Sequence, residues 1–432
     1  MKKLMSLLVA LTTALCLSCT DSAGSGAEAD VRRPFSNYSN ESILQWNNVT
    51  LGTMHGPAYN PMLASRIYAM VHVAIHDALN SIEPSFDTYA LQVKDKKADP
   101  IAALSNAAYT VLVNSFPDRK NYLDSALAVS LADVKANDAR ARGLQLGKLA
   151  GEAILALREG DGAFQNPVAE LNNPDDPGLY QLVPPVLYLA APFWKDLRTF
   201  GLSSPHQFRV AAMPSLNSNA YVEAFDEVRQ YGSKESVVRT EDQTAIAKFW
   251  YEFSEIGWNR VAATAVVDGK LDLLSTARVF ALVNVAMADA YIAGWDSKFH
   301  HNFWRPYTAI RKASTDGNAN TNEDAAWEPL MVTPPVHDYP STHSTLGNAA
   351  AVVLNELIGE KVGFSMTSSS AEPAGSLRTF ASFSHAAQEN ATSRVLAGIH
   401  FRFSCDSGLA LGDKIGHWVL DTKLKPKQNK GL

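Results

Sequence analysis

The chain has 432 residues and a formal net charge of −6, with 46% hydrophobic and 19% charged residues. This composition is that of a folded globular protein with a sizeable core, and the length allows one large domain or two of ordinary size. The acidic balance argues against a general nucleic-acid-binding protein, so we expect no nucleic-acid partner. Any site for an anion must then be a local cluster of basic residues.

The first residues of the chain have the pattern of an export signal. Met1 to Lys3 form a basic segment, and Leu4 to Leu17 form an apolar segment that is too short to span a membrane comfortably. Ser18-Cys19 follows, as at the acylation site of a bacterial lipoprotein. We predict a signal over 1–19 and a lipid on Cys19, the protein's only attachment to a membrane, in the bacterial cell envelope (periplasmic or cell surface). Ordinary secretory cleavage, the alternative, would leave the protein periplasmic or secreted.

After the signal, residues 20–45 are predicted to form a tether. Helical periodicity dominates from Trp46 onward, and strand-like alternation is nearly absent. We predict an all-α protein, a multi-helix bundle with an N-terminal helical half over 46–270 and a motif-bearing helical core over 271–425, packed together as one domain. Helices are predicted at 64–82, 100–115, 119–135, 138–158, 218–231, 240–255, 273–303, 342–359, 376–390 and 406–420.

The most apolar segment after the signal runs from Thr276 to Trp295. It contains two charged residues and an asparagine, which suits a buried bundle helix better than a transmembrane helix. Proline-rich loops are predicted over 160–215 and 313–340, and long ordered loops often cover functional sites. Cys405 is the only cysteine outside the predicted signal, so no internal disulfide is expected.

Four short stretches in the last third of the chain together carry the side chains of an oxyanion-binding site. Their lysine, two arginines, two histidines and serine are groups that hold a tetrahedral or trigonal-bipyramidal oxyanion of high charge. Each stretch alone is common, whereas the set in this order is specific. The stretches are Lys298-Phe-His-His-Asn-Phe-Trp-Arg305-Pro306, Pro340-Ser-Thr-His343, Ser393-Arg394 and His400.

The spacing of the first two stretches predicts how they present their side chains. Lys298 and Arg305 are two helical turns apart, so we expect both on one face of a helix that ends near Pro306. Pro340 to His343 precede an apolar run and form a loop that enters a helix. The N-terminal N–H groups and dipole of that helix favour an anion.

The remaining residues of the set depend on local backbone geometry. Ser341 adds a hydroxyl and Thr342 a backbone N–H, although Thr342 would be strained if its position required a positive φ. Arg394 and His400 are six residues apart, which separates them by about 120° around a regular helix. They converge only if that helix ends near Gly398 or if the anion lies between them.

At these residues the chain resembles the superfamily shared by type 2 phosphatidic acid phosphatases, bacterial acid phosphatases and vanadium-dependent haloperoxidases. The family signature reads Lys-x6-Arg-Pro, Pro-Ser-Gly-His and Ser-Arg-x5-His-x3-Asp. The chain departs from it at Thr342, in place of glycine, and at Ser404, in place of the last aspartate; the nearest acid is Asp406. The long N-terminal half is most similar to the bacterial haloperoxidase-like members. The resemblance implies a central helical core of the haloperoxidase and acid phosphatase type.

The resemblance also implies roles for the site residues. His400 would bond the vanadium of a vanadate cofactor or be the phosphorylated nucleophile of a phosphatase, and His343 would be the acid/base on the opposite side. Lys298 would also polarise bound peroxide. Without the aspartate, Asp406, a carbonyl or another group must orient His400. The residues expected to bind the anion are Lys298, Arg305, Ser341, Thr342, Arg394 and His400.

Three functions are compatible with this set. The first, which the N-terminal half and the missing aspartate favour, is a vanadate-dependent haloperoxidase that uses hydrogen peroxide and a halide. The second is a phosphomonoesterase, of the acid phosphatase or lipid phosphate phosphatase type, that works through a phosphohistidine at His400 and needs no cofactor. The third is a non-enzymatic lipoprotein that binds phosphate or vanadate.

Other residues with catalytic side chains are given structural interpretations. His72 and His76 share a face of one predicted helix but lack a third ligand, which favours a core role over a metal site. His300 and His301 are interpreted as ordinary helix residues. Trp295, one turn before Lys298, either shapes a halide pocket or belongs to the core.

Overall fold

The computed structural model describes Phe35 and residues 37–54, 56 and 59–427. The predicted signal, including Cys19, lies outside the described residues, as does most of the predicted tether. The described residues belong to one compact unit. The first helix begins at Glu41, so the prediction of a tether over 20–45 was wrong for residues 41–45. The reason is that Ile43 and Trp46 are fully buried in the core and hold this segment as a helix.

Helices form nearly all of the regular structure in the described part of the chain, which confirms the all-α prediction. They are α1 (Glu41–Met54), α2 (Pro61–Ile82), α3 (Pro100–Ser115), α4 (Lys120–Ser130), α5 (Asp138–Leu157), α6 (Asn219–Tyr231), α7 (Glu241–Phe249), α8 (Ser254–Asp268), α9 (Leu273–His301), α10 (Pro306–Arg311), α11 (Thr342–Leu357), α12 (Phe383–Leu396) and α13 (Arg402–Thr422).

Short 3-10 turns and two small antiparallel sheets lie between the helices. One sheet pairs Val168 with Ala190, and the other pairs Phe364 with Phe380. The 3-10 turns are Pro117–Arg119, Pro192–Asp196 and Ala313–Thr315, and the strands are β1 (Val168–Ala169), β2 (Leu189–Ala190), β3 (Phe364–Met366) and β4 (Arg378–Phe380).

Three helix predictions were clearly wrong in their bounds, and the first is the helix predicted over 119–135, which ends at Ser130. The helix predicted over 376–390 begins only after β4, because the Ser382 side chain accepts the His385 N–H and starts α12 there. The helix predicted over 240–255 ends at Phe249, and the helix α8 that follows was not predicted. The break between α7 and α8 turns the carbonyls of Trp250 and Glu252 toward other side chains.

Helix α9 is the central element of the bundle. It is the one helix among the described residues that could cross a membrane by length and composition, but most of its apolar window is buried inside the protein. This confirms the prediction of a buried bundle helix over Thr276 to Trp295. Helices α2, α8, α11 and α13 pack against α9, and α11 also packs against α12 and α13.

A glycine on α13 sets the close approach of this helix to the start of α11. A Cβ added at Gly408 would lie 2.5 Å from the carbonyl oxygen of Ser341, so any side chain there would push the two backbones apart. Lys298, near the C-terminal end of α9, donates to the Asp338 carbonyl just before α11, and Asn390 of α12 donates to the His343 carbonyl. The packing therefore brings three of the motif stretches to one end of the bundle.

Candidate functional site

Lys298 lies near the end of α9 and is fully buried. Its ammonium group donates to the carbonyl oxygens of His337 at 2.7 Å and Asp338 at 2.9 Å. Burial and the nearby Arg305 guanidinium hold the pKa of Lys298 well below its usual range. The positive charge of this side chain is therefore costly unless an anion lies beside it.

Arg305 does not share a helix with Lys298, so that prediction was wrong. Helix α9 ends at His301, and Asn302 takes the left-handed conformation that terminates it. Arg305 is extended and precedes α10. Tertiary packing, rather than a common helix face, places both cations at one site. Pro306 begins α10, where its missing N–H costs no hydrogen bond.

The second stretch enters α11 as predicted. Ser341 caps the helix: its Oγ accepts from the Ser344 N–H at 3.4 Å and from the Ser344 hydroxyl at 2.9 Å, so its own O–H remains a donor. Thr342 begins the helix without a positive φ and is therefore unstrained. Its backbone N–H is among those at a helix N-terminus that lack a partner within the helix.

Arg394 and His400 converge because α12 ends between them. The helix stops at Leu396, and Gly398 has a φ of +76°. A Cβ on Gly398 would collide with the carbonyl oxygen of Gly232. The tight turn that this glycine allows confirms the prediction of a helix end near Gly398.

The contacts of His400 determine which ring nitrogen carries a proton. Nη1 of Arg305 lies 2.9 Å from Nε2, and because a guanidinium only donates, Nε2 must hold the lone pair. The proton of the neutral ring is then on Nδ1, which lies 2.9 Å from Oδ1 of Asp338. Burial and the positive charge of Arg305 hold the pKa of His400 well below its usual range. His400 thus presents a neutral, nucleophilic Nε2 beside a cation.

Asp338 takes the place of the aspartate that the motif lacks. The sequence indicated Asp406 as the nearest acid, but Asp406 is exposed, whereas Asp338 is fully buried against His400. Ser404, at the motif's aspartate position, lies 3.4 Å from Nδ1 of His400 and donates to the Asp338 carbonyl at 3.0 Å. Asp338 stands two residues before Pro340, and this closeness to a motif was the one signal in the sequence.

His343 is tied to the break between α7 and α8. Its Nε2 lies 3.1 Å from the carbonyl oxygen of Glu252, which only accepts, so Nε2 carries the proton and Nδ1 holds the lone pair. Burial, with Arg394 nearby, lowers the pKa of His343 well below its usual range. Arg394 itself donates to the Trp250 carbonyl at 2.9 Å. The sequence did not predict these contacts, because it placed the break inside a helix.

The charges of this cluster fit an oxyanion. Lys298, Arg305 and Arg394 are each at most 1% exposed, and Asp338 is the carboxylate that faces them, with an Arg305–Asp338 distance of 4.0 Å. Burial lowers the pKa of Arg394 to about 10 and raises that of Asp338 to about 7. Within the described residues of this cluster, Nε of Arg394 and Oγ1 of Thr342 are buried donors without a hydrogen-bond partner, and neither carboxylate oxygen of Asp338 has a well-aligned hydrogen bond. A bound oxyanion would offset the excess positive charge and satisfy such donors.

A cavity of about 530 Å³ leads to one side of this cluster, where His343 and Arg394 form part of its wall. Its other walls are mostly apolar. The lining residues outside the cluster include Tyr59, Val186, Phe253, Ile256, Val332 and Pro335.

Trp295 and three of the histidines interpreted above as structural, His72, His76 and His301, lie in structural positions. His72 is buried in α2 beside Asn47 at 3.1 Å, and His76 lies 3.2 Å from its neighbour Asp77. Nε2 of His301 contacts the Val210 carbonyl at 3.0 Å. Trp295 is buried, and its Nε1 donates to the Ala190 carbonyl at 3.2 Å, as a core residue.

Comparisons with known proteins converge on one family. The family model described as the vanadium chloroperoxidase N-terminal domain matches residues 30–174, and the model described as the VCPO second helical-bundle domain matches residues 278–428. The vanadium chloroperoxidase of Curvularia inaequalis is 27% identical over 423 residues, which covers 76% of this chain and 67% of that protein.

Solved structures give the same result for the fold. The crystal structure of a bacterial vanadium-dependent iodoperoxidase matches with a TM-score of 0.79 and 26% identity, covering 90% of this chain and 98% of that one. The holo form of a bacterial vanadium-dependent chloroperoxidase matches with a TM-score of 0.69, covering 87% of this chain and 96% of that one; at 16% identity this likeness concerns the fold alone.

Proposed function

This chain belongs to the vanadium haloperoxidase superfamily and is a haloperoxidase-like enzyme, and from this premise we propose that it oxidises a halide with hydrogen peroxide. The observation that carries the proposal is the Nε2 lone pair of His400, which faces Arg305 in a cluster of three buried cations. A neutral imidazole nitrogen beside fixed positive charges is suited to bind the central atom of an oxyanion whose oxygens the cations neutralise.

Vanadate is the cofactor that this family implies, and the site residues fit it. His400 would bond it through Nε2, and the cations Lys298, Arg305 and Arg394 would hold its oxygens together with the Ser341 hydroxyl and the Thr342 N–H. When bound, vanadate supplies a Lewis acid that activates peroxide toward a halide without changing its own oxidation state.

The protein's own part in the reaction is to hold charge and move protons. Lys298 donates to two carbonyls, so its third N–H would be free to donate to an oxygen of the substrate peroxide and polarise it. The lowered pKa of His343 keeps its ring neutral, and the lone pair on Nδ1 can take a proton from hydrogen peroxide and return it later in the cycle. The charge of the Asp338 carboxylate, 2.9 Å from Nδ1 of His400, favours the tautomer that carries the proton on Nδ1.

A phosphomonoesterase would use the same groups, with His400 as nucleophile and His343 as the acid for the leaving alcohol. Asp338 supplies an orienting carboxylate, so the aspartate missing from the motif does not argue against a phosphatase. The family match is what favours the haloperoxidase.

The two functions are tested side by side on the purified protein. It is freed of vanadate, supplied with or without orthovanadate, and assayed with hydrogen peroxide plus iodide or bromide, and in parallel with p-nitrophenyl phosphate. We expect halide oxidation that depends on vanadate and is lost in His400→Ala. Phosphatase activity that vanadate inhibits, without halide oxidation, would instead support the phosphomonoesterase. Anion binding without either activity would support a binding protein.

A further inference from the structure

A second cavity, of about 580 Å³, lies far from the oxyanion cluster. Thr422, the last residue of α13, lines this cavity, whereas Ser404, near the start of the same helix, contacts His400. At a rise of 1.5 Å per residue, Ser404 and Thr422 are separated by roughly 27 Å along the helix axis. The second cavity is thus separate from the site of the proposed reaction.

The loops that form the walls of this cavity are held in place by buried carboxylates. Asp77 of α2 accepts the backbone N–H groups of residues 89–91 at 2.6–3.2 Å, and Asp289 of α9 accepts those of residues 200–202 at 2.6–2.7 Å. These N–H groups compensate the negative charges of both carboxylates. Because such contacts fix the backbone of the walls, the cavity is formed before any ligand binds.

The most deeply buried cation of the lining, Arg158, belongs to a cluster with an excess of positive charge. Arg158 is 2% exposed and shares the carboxylate of Asp161 with Arg66, which is also buried. Nε of each arginine donates to the same oxygen of Asp161 at 2.8 Å. Two guanidinium groups therefore meet one carboxylate, and a buried positive charge without a partner is costly unless an anion lies nearby.

Three further cations line the same cavity, namely Arg198, Lys423 and Lys427. Among the described residues, none of the three has a carboxylate within 4.0 Å, and Asp87 is the only acid in the lining. The ammonium group of Lys423 lies 5.9 Å from the ring centroid of Tyr89, in the cavity wall. Like charges gathered in this way repel one another, and an anion between them would remove the repulsion.

We propose that this cavity is a binding site for a phosphate-bearing anion with two or more negative charges. The planar guanidinium of Arg198 suits two oxygens of one phosphate group, while Lys423 and Lys427 supply compact point charges. The volume exceeds that of a single phosphate group, so the ligand carries either a second phosphate or a polar group attached to the first. A soluble phosphate compound and the headgroup of an anionic phospholipid both present this chemistry.

The cavity lies at the end of the molecule where the described chain begins. Nδ2 of Asn40 is 3.5 Å from Oγ1 of Thr276 at the start of α9. Two residues further along α9, Arg278 donates to the carbonyl of Leu424, which lines the cavity, at 2.8 Å. The predicted lipid on Cys19 precedes this segment in the chain. A phospholipid source is therefore tested beside a soluble one.

The soluble source is tested by calorimetric titration with inorganic tripolyphosphate at physiological ionic strength. Wild type is compared with Arg198→Glu/Lys427→Glu and with a control, Lys135→Glu/Lys361→Glu, which makes the same change of net charge at exposed positions outside the cavity. We expect affinity to fall roughly tenfold or more in the cavity variant alone, because charge-assisted hydrogen bonds are replaced by repulsion. Binding that Arg394→Ala abolishes and the cavity variant keeps would assign tripolyphosphate to the oxyanion cluster and contradict a soluble ligand here.

The lipid source is tested by sedimentation with vesicles of phosphatidylglycerol and phosphatidylcholine, with phosphatidylcholine alone as the reference. All proteins carry Cys19→Ser, so that a lipid on the chain cannot attach them. Sedimentation that requires phosphatidylglycerol, and that the cavity variant loses and the control keeps, would assign the cavity to a lipid headgroup. Loss of tripolyphosphate binding alone would assign it to a soluble phosphate compound.

Thermal unfolding of each variant checks that it is folded, as we expect for substitutions at exposed positions. Arg198→Gln/Lys427→Gln, which removes the two charges without adding acids, should weaken binding in the same direction. If the cavity variants matched the control in both the titration and the sedimentation, the proposal of a phosphate site in this cavity would be overturned.

Discussion

Nδ1 of His400 lies 2.9 Å from Oδ1 of Asp338, a residue outside the four motif stretches and distant from His400 along the chain. Oδ1 of Asp338 is also 4.0 Å from the guanidinium of Arg305, which donates to Nε2 on the other side of the same imidazole. The imidazole is therefore held between a carboxylate and a cation. This arrangement fixes its tautomer with the lone pair on Nε2, where the central atom of an oxyanion would replace the Arg305 donor.

Replacing Asp338 by Asn should weaken anion binding through His400. The Asn side chain cannot hold the Nδ1 proton with a negative charge, so we expect orthovanadate affinity to fall roughly ten- to a hundredfold, the usual effect of losing such a partner. The measurement is a vanadate titration of the purified protein. Asp406→Asn, at the exposed acid nearest in sequence, is the matched control and should bind as wild type. If the two variants behaved alike, Asp338 would have no orienting role.

Replacing one of the two site arginines should lower the affinity of the site for an oxyanion, and the loss should grow with the number of hydrogen bonds removed. We expect Arg305→Ala or Arg394→Ala to lower vanadate or phosphate affinity by ~1.5–3 kcal/mol per bond, roughly ten- to a hundredfold. Equilibrium titration measures this directly. Arg229→Ala, which removes a surface pair with Asp226, should leave affinity unchanged. Unchanged binding in both site variants would rule out the shared anion pocket.

Replacing each of the two site histidines by alanine should impair a different property, vanadate binding for His400 and turnover for His343. His400→Ala removes the group that bonds the central atom but leaves the cations, so retention of vanadate should weaken. His343→Ala leaves that group, so vanadate should still bind while peroxide turnover falls by ~10²–10⁴-fold, the usual contribution of a positioned acid/base. Vanadate content and turnover are measured for both. Equal loss of binding, or normal turnover in either variant, would show that the roles are assigned wrongly.

Glu255 should make stability depend on pH. Burial raises its pKa from 4.5 to about 7, opposed by hydrogen bonds from Tyr59 and Tyr291. Because the folded protein holds this proton more tightly, its contribution is complete below pH 4.5 and is lost as the pH rises toward 7. The loss is on the order of 3 kcal/mol.

Denaturant unfolding between pH 4.5 and 8 measures this effect. The free energy of unfolding of wild type relative to Glu255→Gln should fall across the window and then level off. Glu170→Gln, at an exposed loop position, should parallel wild type throughout. A constant difference between wild type and Glu255→Gln would contradict the prediction.

We propose that the protein is exported and held in the cell envelope by a lipid on Cys19. The basic and apolar segments before Ser18-Cys19 are the support for this proposal. Cys19→Ser should move the protein from the membrane fraction to a soluble fraction after cell lysis. Identical partition of the variant and wild type would exclude the lipid anchor.

The sequence by itself determined the helical architecture and most of the site's chemistry. The periodicity of α9 and the loop that enters α11 are local properties, because they depend on apolar spacing and on residues that cap a helix. The motif identified Lys298, Arg305 and Arg394, since cations of this kind in this order are specific to an anion site. The motif did not identify the carboxylate beside His400, because Ser404 stands where the family signature has an aspartate.

Only the tertiary structure decided how these groups meet. Lys298 and Arg305 belong to different elements, because Asn302 ends α9 before the arginine. The carboxylate nearest to Nδ1 of His400 belongs to Asp338, a residue distant along the chain. Nε2 of His343 contacts the backbone carbonyl of Glu252, which lies in the break between α7 and α8. Such contacts depend on how helices pack and where backbone polar groups find partners, and neither is encoded by spacing within one segment. The same packing leaves room beside His343 for a cavity whose size and apolar walls could not be read from the motif.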